Sequence, residues 1–227
     1  MTALGRRTPA DWRHVDRYPF ATAPPAKPVP VTIGVNWYTA FDSPVLDAGR
    51  LWIGRGPLGS IRGGHCVCLQ PDMLADLPSW RSFYDQGTEG ACVGFGSSRM
   101  MTLLNRTRYN ARWLWNQAKA IDEWSDTNPG DDNGTSVRAA MDVLRTTGHL
   151  KAGRTQPTVQ AGIVANRWAT SVDEVRAALQ SPSNDRVGGV CVLNSWGLAY
   201  PRRVWLPYET LARLLDEDGE ATVVTDR

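Results

Sequence analysis

The period of the hydrophobic positions changes along the chain, and the changes divide it into stretches. Over residues 31–69 the pattern is that of strands. VTIGVNWYTAF is rich in β-branched and aromatic residues, and GGHCVCL alternates, with His65, Val67 and Leu69 on one face and Cys66 and Cys68 on the other. Between these two, DSPVLDAGRLWIGRGPLGSIRGG reads as a turn-rich connection. Over 78–150 the period becomes helical. CVGFGSSRMMTLLNRT predicts a mostly buried helix starting at Cys92, and NARWLWNQAKAIDEW a second opening after Asn110. TSVRAAMDVLRTTG predicts a third: Val137, Ala140, Met141 and Leu144 recur at helical spacing, and Gly148 stops it. NPGDDNGT, with its Asn-Pro and Asn-Gly turn dipeptides, is a loop between them.

From 160 onward short elements follow one another. QAGIVANRWA is strand-like or coil. SVDEVRAALQ is a short helix with Ser171 as N-cap and Glu174 three residues on, a capping box. SPSNDRVGG reads as a loop, GVCVLNSWG as a strand, and VWLPYETLARLL ends in a short helix. Residues 1–30 stand apart: TAPPAKPVPV is proline-rich and predicts an extended arm that serves as a surface strap, a linker or a pro-segment. Helices fall in one block and strands dominate elsewhere, which predicts an α+β fold. The expected organisation is an arm over 1–30 and one domain over 31–227.

Composition sets bounds on function. With 42% hydrophobic and 21% charged residues, the chain is ordinary globular material. A formal net charge of +2 gives no reason to expect a nucleic-acid or anionic membrane partner. The first twenty residues lack an apolar signal core, and no apolar run is long enough to span a bilayer. The four cysteines, Cys66, Cys68, Cys92 and Cys191, are therefore expected to be reduced, in a cytoplasm-like compartment.

The most informative stretch is Tyr84–Phe95, where a glycine-bearing loop delivers Cys92 to the start of a helix. Aligned peptide dipoles at a helix N-terminus favour thiolate over thiol. Gln86 lies six residues before Cys92, so its amide could return to the sulfur and, with the Cys92 backbone N–H, form an oxyanion hole. Taken singly, each residue has a plainer reading. Cys92 could be a small buried hydrophobe, His65 a core or turn histidine, Asn194 a turn cap and Gln86 a solvated loop residue. Among the other histidines, His14 lies in the arm and His149 reads as a charge partner for a helix C-terminus.

Together the residues resemble the papain-like cysteine peptidases, of the bacterial and phage type. The family pattern Gln-Gly-x-x-Gly-Ser-Cys-Trp-Ala-Phe is matched by Gln86-Gly87-Thr88-Glu89-Gly90-Ala91-Cys92-Val93-Gly94-Phe95. Val93 replaces the usual aromatic, and Glu89 stands where secreted members often carry a disulfide cysteine. Asn194-Ser195-Trp196-Gly197, read as lying on a strand, and Gly63-Gly64-His65 supply two further matches. The resemblance implies a two-lobed α+β fold: a helical lobe over 78–150 bearing Cys92, and a β-rich lobe bearing His65 and Asn194, with the cleft between. It implies Cys92 as nucleophile, His65 as base, Asn194 as the group orienting His65, Gln86 as oxyanion donor and Trp196 as shield of the His–Asn hydrogen bond. The order departs from the family, which runs Cys, His, Asn. Here it is His65, Cys92, Asn194, as if the block 31–69 had been transposed toward the N-terminus. The shortened link at 181–189 can still reach, since about nine residues span up to roughly 30 Å, and exchange of the block within a dimer is an alternative.

The implied reaction is hydrolysis of a peptide or amide bond in a protein or peptide substrate, through a thioester, by a cytoplasmic or virion-associated protein. A cell-wall amidase or peptidase of the same chemistry, and a structural protein with a decayed site, are the alternatives. No cofactor is implied. Cys-x-Cys beside His65 is not a common metal spacing and lacks a second ligand pair, so no zinc is expected. The acidic cluster Asp126, Asp131, Asp132 reads as a solvated loop rather than a calcium site.

Overall fold

The computed structural model describes residues 24–72, 84–122 and 134–226. Its strands are β1 (Val31–Tyr38), β2 (Val45–Asp47), β3 (Arg50–Trp52), β4 (Ile61–Gln70), β5 (Ala165–Ala169), β6 (Gly189–Leu193), β7 (Val204–Pro207) and β8 (Glu220–Asp226). They form one sheet in the order β2-β3-β7-β6-β4-β1-β8-β5. Every pairing is antiparallel except β3 with β7. The described residues also form six α-helices: α1 (Cys92–Asn105), α2 (Ala111–Lys119), α3 (Val137–Thr146), α4 (Val172–Leu179), α5 (Pro182–Val187) and α6 (Tyr208–Asp216). The fold is mixed α/β, consistent with the expected α+β class.

Strand alternation divides the core between the two faces of the sheet. Val31, Ile33, Val35, Val67, Leu69, Val190 and Val192 pack with Val175 and Leu179 of α4 and Leu211 and Leu214 of α6. The residues between them in sequence, Cys66, Cys68, Cys191 and Leu193, pack with Met100 and Leu103 of α1, Leu114 of α2 and Met141 and Leu144 of α3. Full burial of such side chains is worth about 1.5–3 kcal/mol each, so each face is anchored independently. On α1, Gly94 lets α2 approach: a Cβ there would lie 2.6 Å from Ala111 O and 2.6 Å from Trp115 Cβ.

Helix starts follow the sequence. Asn110 accepts from Trp113 N (3.0 Å), Ser136 from Ala139 N (3.1 Å) and Ser171 from Glu174 N (3.3 Å), each cap being worth about 1 kcal/mol. The Glu174 carboxylate accepts from Thr170 N (2.6 Å), one residue earlier than a capping box requires. Residues 24–30 run beside α4, where Val29 N donates to Ala178 O (3.0 Å). The earlier part of the arm, His14 and the acidic cluster at 126–132 lie outside the described residues.

Several readings need correction. The connection between the first two strands contains the hairpin of β2 and β3, turned by Ala48 and Gly49 at φ 47° and 75°. The segment 181–189 is not a loop. Ser181 caps α5, Pro182 occupies its first turn, and Gly188, at φ 71°, ends it. Asn194–Gly197 is not on a strand, because β6 ends at Leu193. His149 is not a charge partner at a helix end. It is fully buried, stacked on Tyr109 (4.4 Å between ring centres) and Trp113 (5.7 Å). Its Nδ1 accepts from Leu150 N (2.9 Å), so Nε2 carries the proton and donates to Ser98 Oγ at 2.9 Å. Burial pushes its pKa down to about 3.

Candidate active site

The sheet order decides where His65 goes. β4 pairs with β6 through Cys68 with Leu193, Leu69 with Val192 and Gln70 with Cys191. Asn194 is the next residue after Leu193, and in an antiparallel pair it continues toward the His65 end of β4. His65 Nε2 and Asn194 Oδ1 lie 2.9 Å apart. Ser195 N donates to the same oxygen at 2.7 Å. A backbone N–H cannot accept, so this atom is the amide oxygen and not the nitrogen. His65 must then donate from Nε2, which leaves Nδ1 as the unprotonated ring nitrogen.

Two indoles hold the ring. Trp196 lies 4.8 Å from it at 35°, and Trp37 meets it edge-on at 4.7 Å and 75°. Trp37 is on β1, where Val35 pairs with His65 and Trp37 with Gly63. Its Nε1 donates to Asp42 Oδ1 (3.0 Å), and Asp42 is ion-paired with Arg62.

The Cys92 loop is sewn to the exit of β6. Gln86 N donates to Ser195 O (2.8 Å), and Asp85 and Trp196 form a bridge. Gly197 permits this approach: it sits at φ 61°, and a Cβ there would lie 2.3 Å from Asp85 Oδ2. Cys92 is the first residue of α1, and the residue at its N-cap, Ala91, has no side chain able to cap it. Gln86 is buried. Its Nε2 donates to Glu89 O (2.9 Å), leaving one amide N–H over.

Cys92, His65, Gln86, Trp196, Trp37 and Arg62 line one open cleft with Gly63, Gly64 and the loop Gly87–Gly90. Asn194 stands behind His65. Among the described residues no hydrogen bond joins the Cys92 thiol to the His65 ring; catalytic contacts of this kind often tighten only with substrate bound. The electrostatics favour the neutral pair. Burial raises the Cys92 pKa, against the lowering effect of the backbone N–H groups of Cys66, Val93 and Cys92 itself. The helix start thus acts in the expected direction and is outweighed. Burial also lowers His65 to about 4, opposed by Asn194 and Asp42 and reinforced by Arg62.

The other three cysteines are buried free thiols. Burial pushes Cys66 well up, and Cys68 and Cys191 to about 12, which favours their thiol forms. Among the described residues no group of three or more His, Cys, Asp or Glu could hold a metal ion, and no helix is long and apolar enough to cross a membrane. Sequence reasoning missed Trp37, Asp42 and Arg62. The alternation of Val31, Ile33, Val35 and Trp37 was visible, but not the register that sets Trp37 beside His65.

No family model matches the chain, and no curated protein matches it. Among solved structures the chain is similar to xylellain, a cysteine protease from Xylella fastidiosa, at 13% identity over 85% of this chain and 97% of that one, with a TM-score of 0.48. A likeness at this level carries no functional argument.

Proposed function

We propose that the chain hydrolyses peptide or amide bonds through a cysteine thioester, with papain-like machinery delivered in a transposed chain order. In this reading the start of α1, bearing Cys92, and β4, bearing His65 with Asn194 behind it just past the end of β6, are the two walls of the cleft. The observation that carries it is the His65–Asn194 hydrogen bond of 2.9 Å, whose direction leaves Nδ1 bare in a cleft shared with a cysteine at a helix start.

His65 Nδ1 takes the thiol proton as Cys92 Sγ bonds to the substrate carbonyl carbon. The carbonyl oxygen becomes an oxyanion, held by the second Gln86 amide N–H and the Cys92 backbone N–H. A donor of this kind is worth about 2.7–4 kcal/mol in the transition state. The tetrahedral species collapses, the C–N bond breaks, and His65 gives its proton to the leaving amine. Water then attacks the thioester while His65 takes its proton. The C–S bond breaks, and the acid and the thiol are restored.

The test is labelling with a thiol-directed peptide electrophile followed by peptide mapping. Cys92 is expected to carry the label faster than a free thiol does, and Cys92→Ala to abolish it. Labelling at the cleft that persists in Cys92→Ala overturns the assignment. A second reading, a scaffold protein with a decayed site, is favoured by the raised Cys92 pKa and by the missing thiol–imidazole hydrogen bond. Alkylation of Cys92 that rises only above the ordinary thiol range supports the scaffold. Alkylation that persists well below that range supports the enzyme.

A further inference from the structure

The cleft's outer wall contains a charged chain of contacts that the proposed reaction does not use. Trp37 is 3% exposed, touches His65 edge-on and meets Trp196 at 5.3 Å between ring centres. An indole can rotate about its side-chain bonds, and the one polar atom that fixes it is Nε1. That atom is held by Asp42 Oδ1 at 3.0 Å. Asp42 is fixed in turn. Arg62 of β4 pairs with its other oxygen, and Tyr200 Oη donates to Phe41 O (2.8 Å), tying the turn at 39–42 to the segment that follows Asn194.

We propose that Asp42 and Trp37 are positioning residues for His65: Asp42 locks the Trp37 indole, and the indole walls the imidazole against Trp196. The role rests on the peptidase reading for its purpose, though not for its geometry. Asn194 fixes one ring nitrogen, but a single hydrogen bond leaves the ring free to swing about that bond. Indoles on two sides remove the swing, so the bare Nδ1 keeps one orientation in the cleft.

Charge and position are separable by substitution. Asp42→Asn keeps an acceptor for Trp37 Nε1 and removes the charge. Asp42→Ala removes both. Trp37→Phe keeps a ring and removes the donor. Hydrogen bonds to a charged group are worth a factor of roughly ten or more, so Asp42→Ala and Trp37→Phe should slow Cys92 alkylation by iodoacetamide about tenfold. Asp42→Asn should recover the rate to within about threefold, since the acceptor remains. The second readout needs no activity: long-range proton–nitrogen spectra of the His65 ring. Wild type should show one tautomer, protonated at Nε2, whereas Asp42→Ala and Trp37→Phe should show mixed or broadened ring signals. Unchanged ring spectra in Asp42→Ala and Trp37→Phe overturn the proposal, and so does an Asp42→Asn variant as slow as Asp42→Ala. A wild-type Cys92 no more reactive than a free thiol overturns the peptidase reading instead, and the ring spectra then decide the positioning role alone.

Discussion

Acid should unfold this protein through two histidines kept neutral inside it. His65 is 7% exposed and His149 fully buried, with pKa values lowered from 6.5 to about 4 and about 3. Above pH 6.5 both rings are neutral folded and unfolded, and they contribute no pH dependence. As the pH falls below 6.5 the unfolded rings take up protons, while the folded rings do not until about 4 and about 3. The unfolded state then binds more protons, so stability falls with pH. Each ring contributes a loss of about 1.4 kcal/mol per pH unit in that window. At about pH 4.5 the two together remove about 5 kcal/mol, comparable with the whole stability of a domain, about 5–15 kcal/mol. Carboxylates held low, such as Asp185 and Glu217, lose their contribution mainly at lower pH. The assay is urea denaturation near pH 8 and near pH 4.5 for wild type, His149→Gln and His65→Gln. Each variant should lose about half of the wild-type drop between the two conditions. A wild-type drop under about 1 kcal/mol, or one undiminished in both variants, refutes the claim that the rings are buried uncharged.

Two more outcomes are expected at the exit of β6. Asn194→Ala strands two buried donors, His65 Nε2–H and Ser195 N–H, at about 1–3 kcal/mol each; a thermal midpoint about 10 °C lower and slowed Cys92 alkylation are expected, and an unchanged midpoint counts against the shared acceptor. Gly197→Ala forces a side chain to φ 61° and into the Asp85 carboxylate; the left-handed cost alone is about 1–2 kcal/mol, so a variant as stable as wild type in urea would contradict the described approach of the two loops.

What was legible in the sequence is what local physics dictates. Asn110 and Ser171 marked two helix starts, because a side-chain oxygen just ahead of an apolar repeat can accept from the free N–H groups of the first turn; Ser136 does the same for α3 and was not read as a cap. The alternation at His65–Leu69 survived intact. The hairpin of β2 and β3 was hidden because Ala48, not the usual Asn or Asp, occupies the first turn position. The helix α5 was hidden by its length, although Ser181-Pro182 before and Gly188 after were the available signals. The thiolate expected at Cys92 rested on the helix tip and on His65 as its base. Burial, which reverses its sign, is a property of tertiary packing. Trp37 and Asp42 were missed for the same reason: their partners lie across a strand pairing, and no local period encodes register.

The transposed order is less disruptive than it looks, because every site residue is located relative to β4 and β6. His65 is on β4. Asn194 is the first residue beyond β6. Cys92 arrives on α1, whose Gly96 packs so closely on β4 that a Cβ there would sit 2.9 Å from Cys66 Sγ. The loop before Cys92 is tied to Ser195 and Trp196. None of these contacts depends on which of the two strands comes first in the chain, in line with triads being set by geometry. The two edges of β4 are nonetheless unequal. Its register with β1 runs from Val31–Leu69 to Tyr38–Ile61, whereas its pairing with β6 spans three positions. The short β4–β6 seam carries the His65–Asn194 alignment. Damage there, rather than in the long β1–β4 ladder, should separate the imidazole from its orienting amide first.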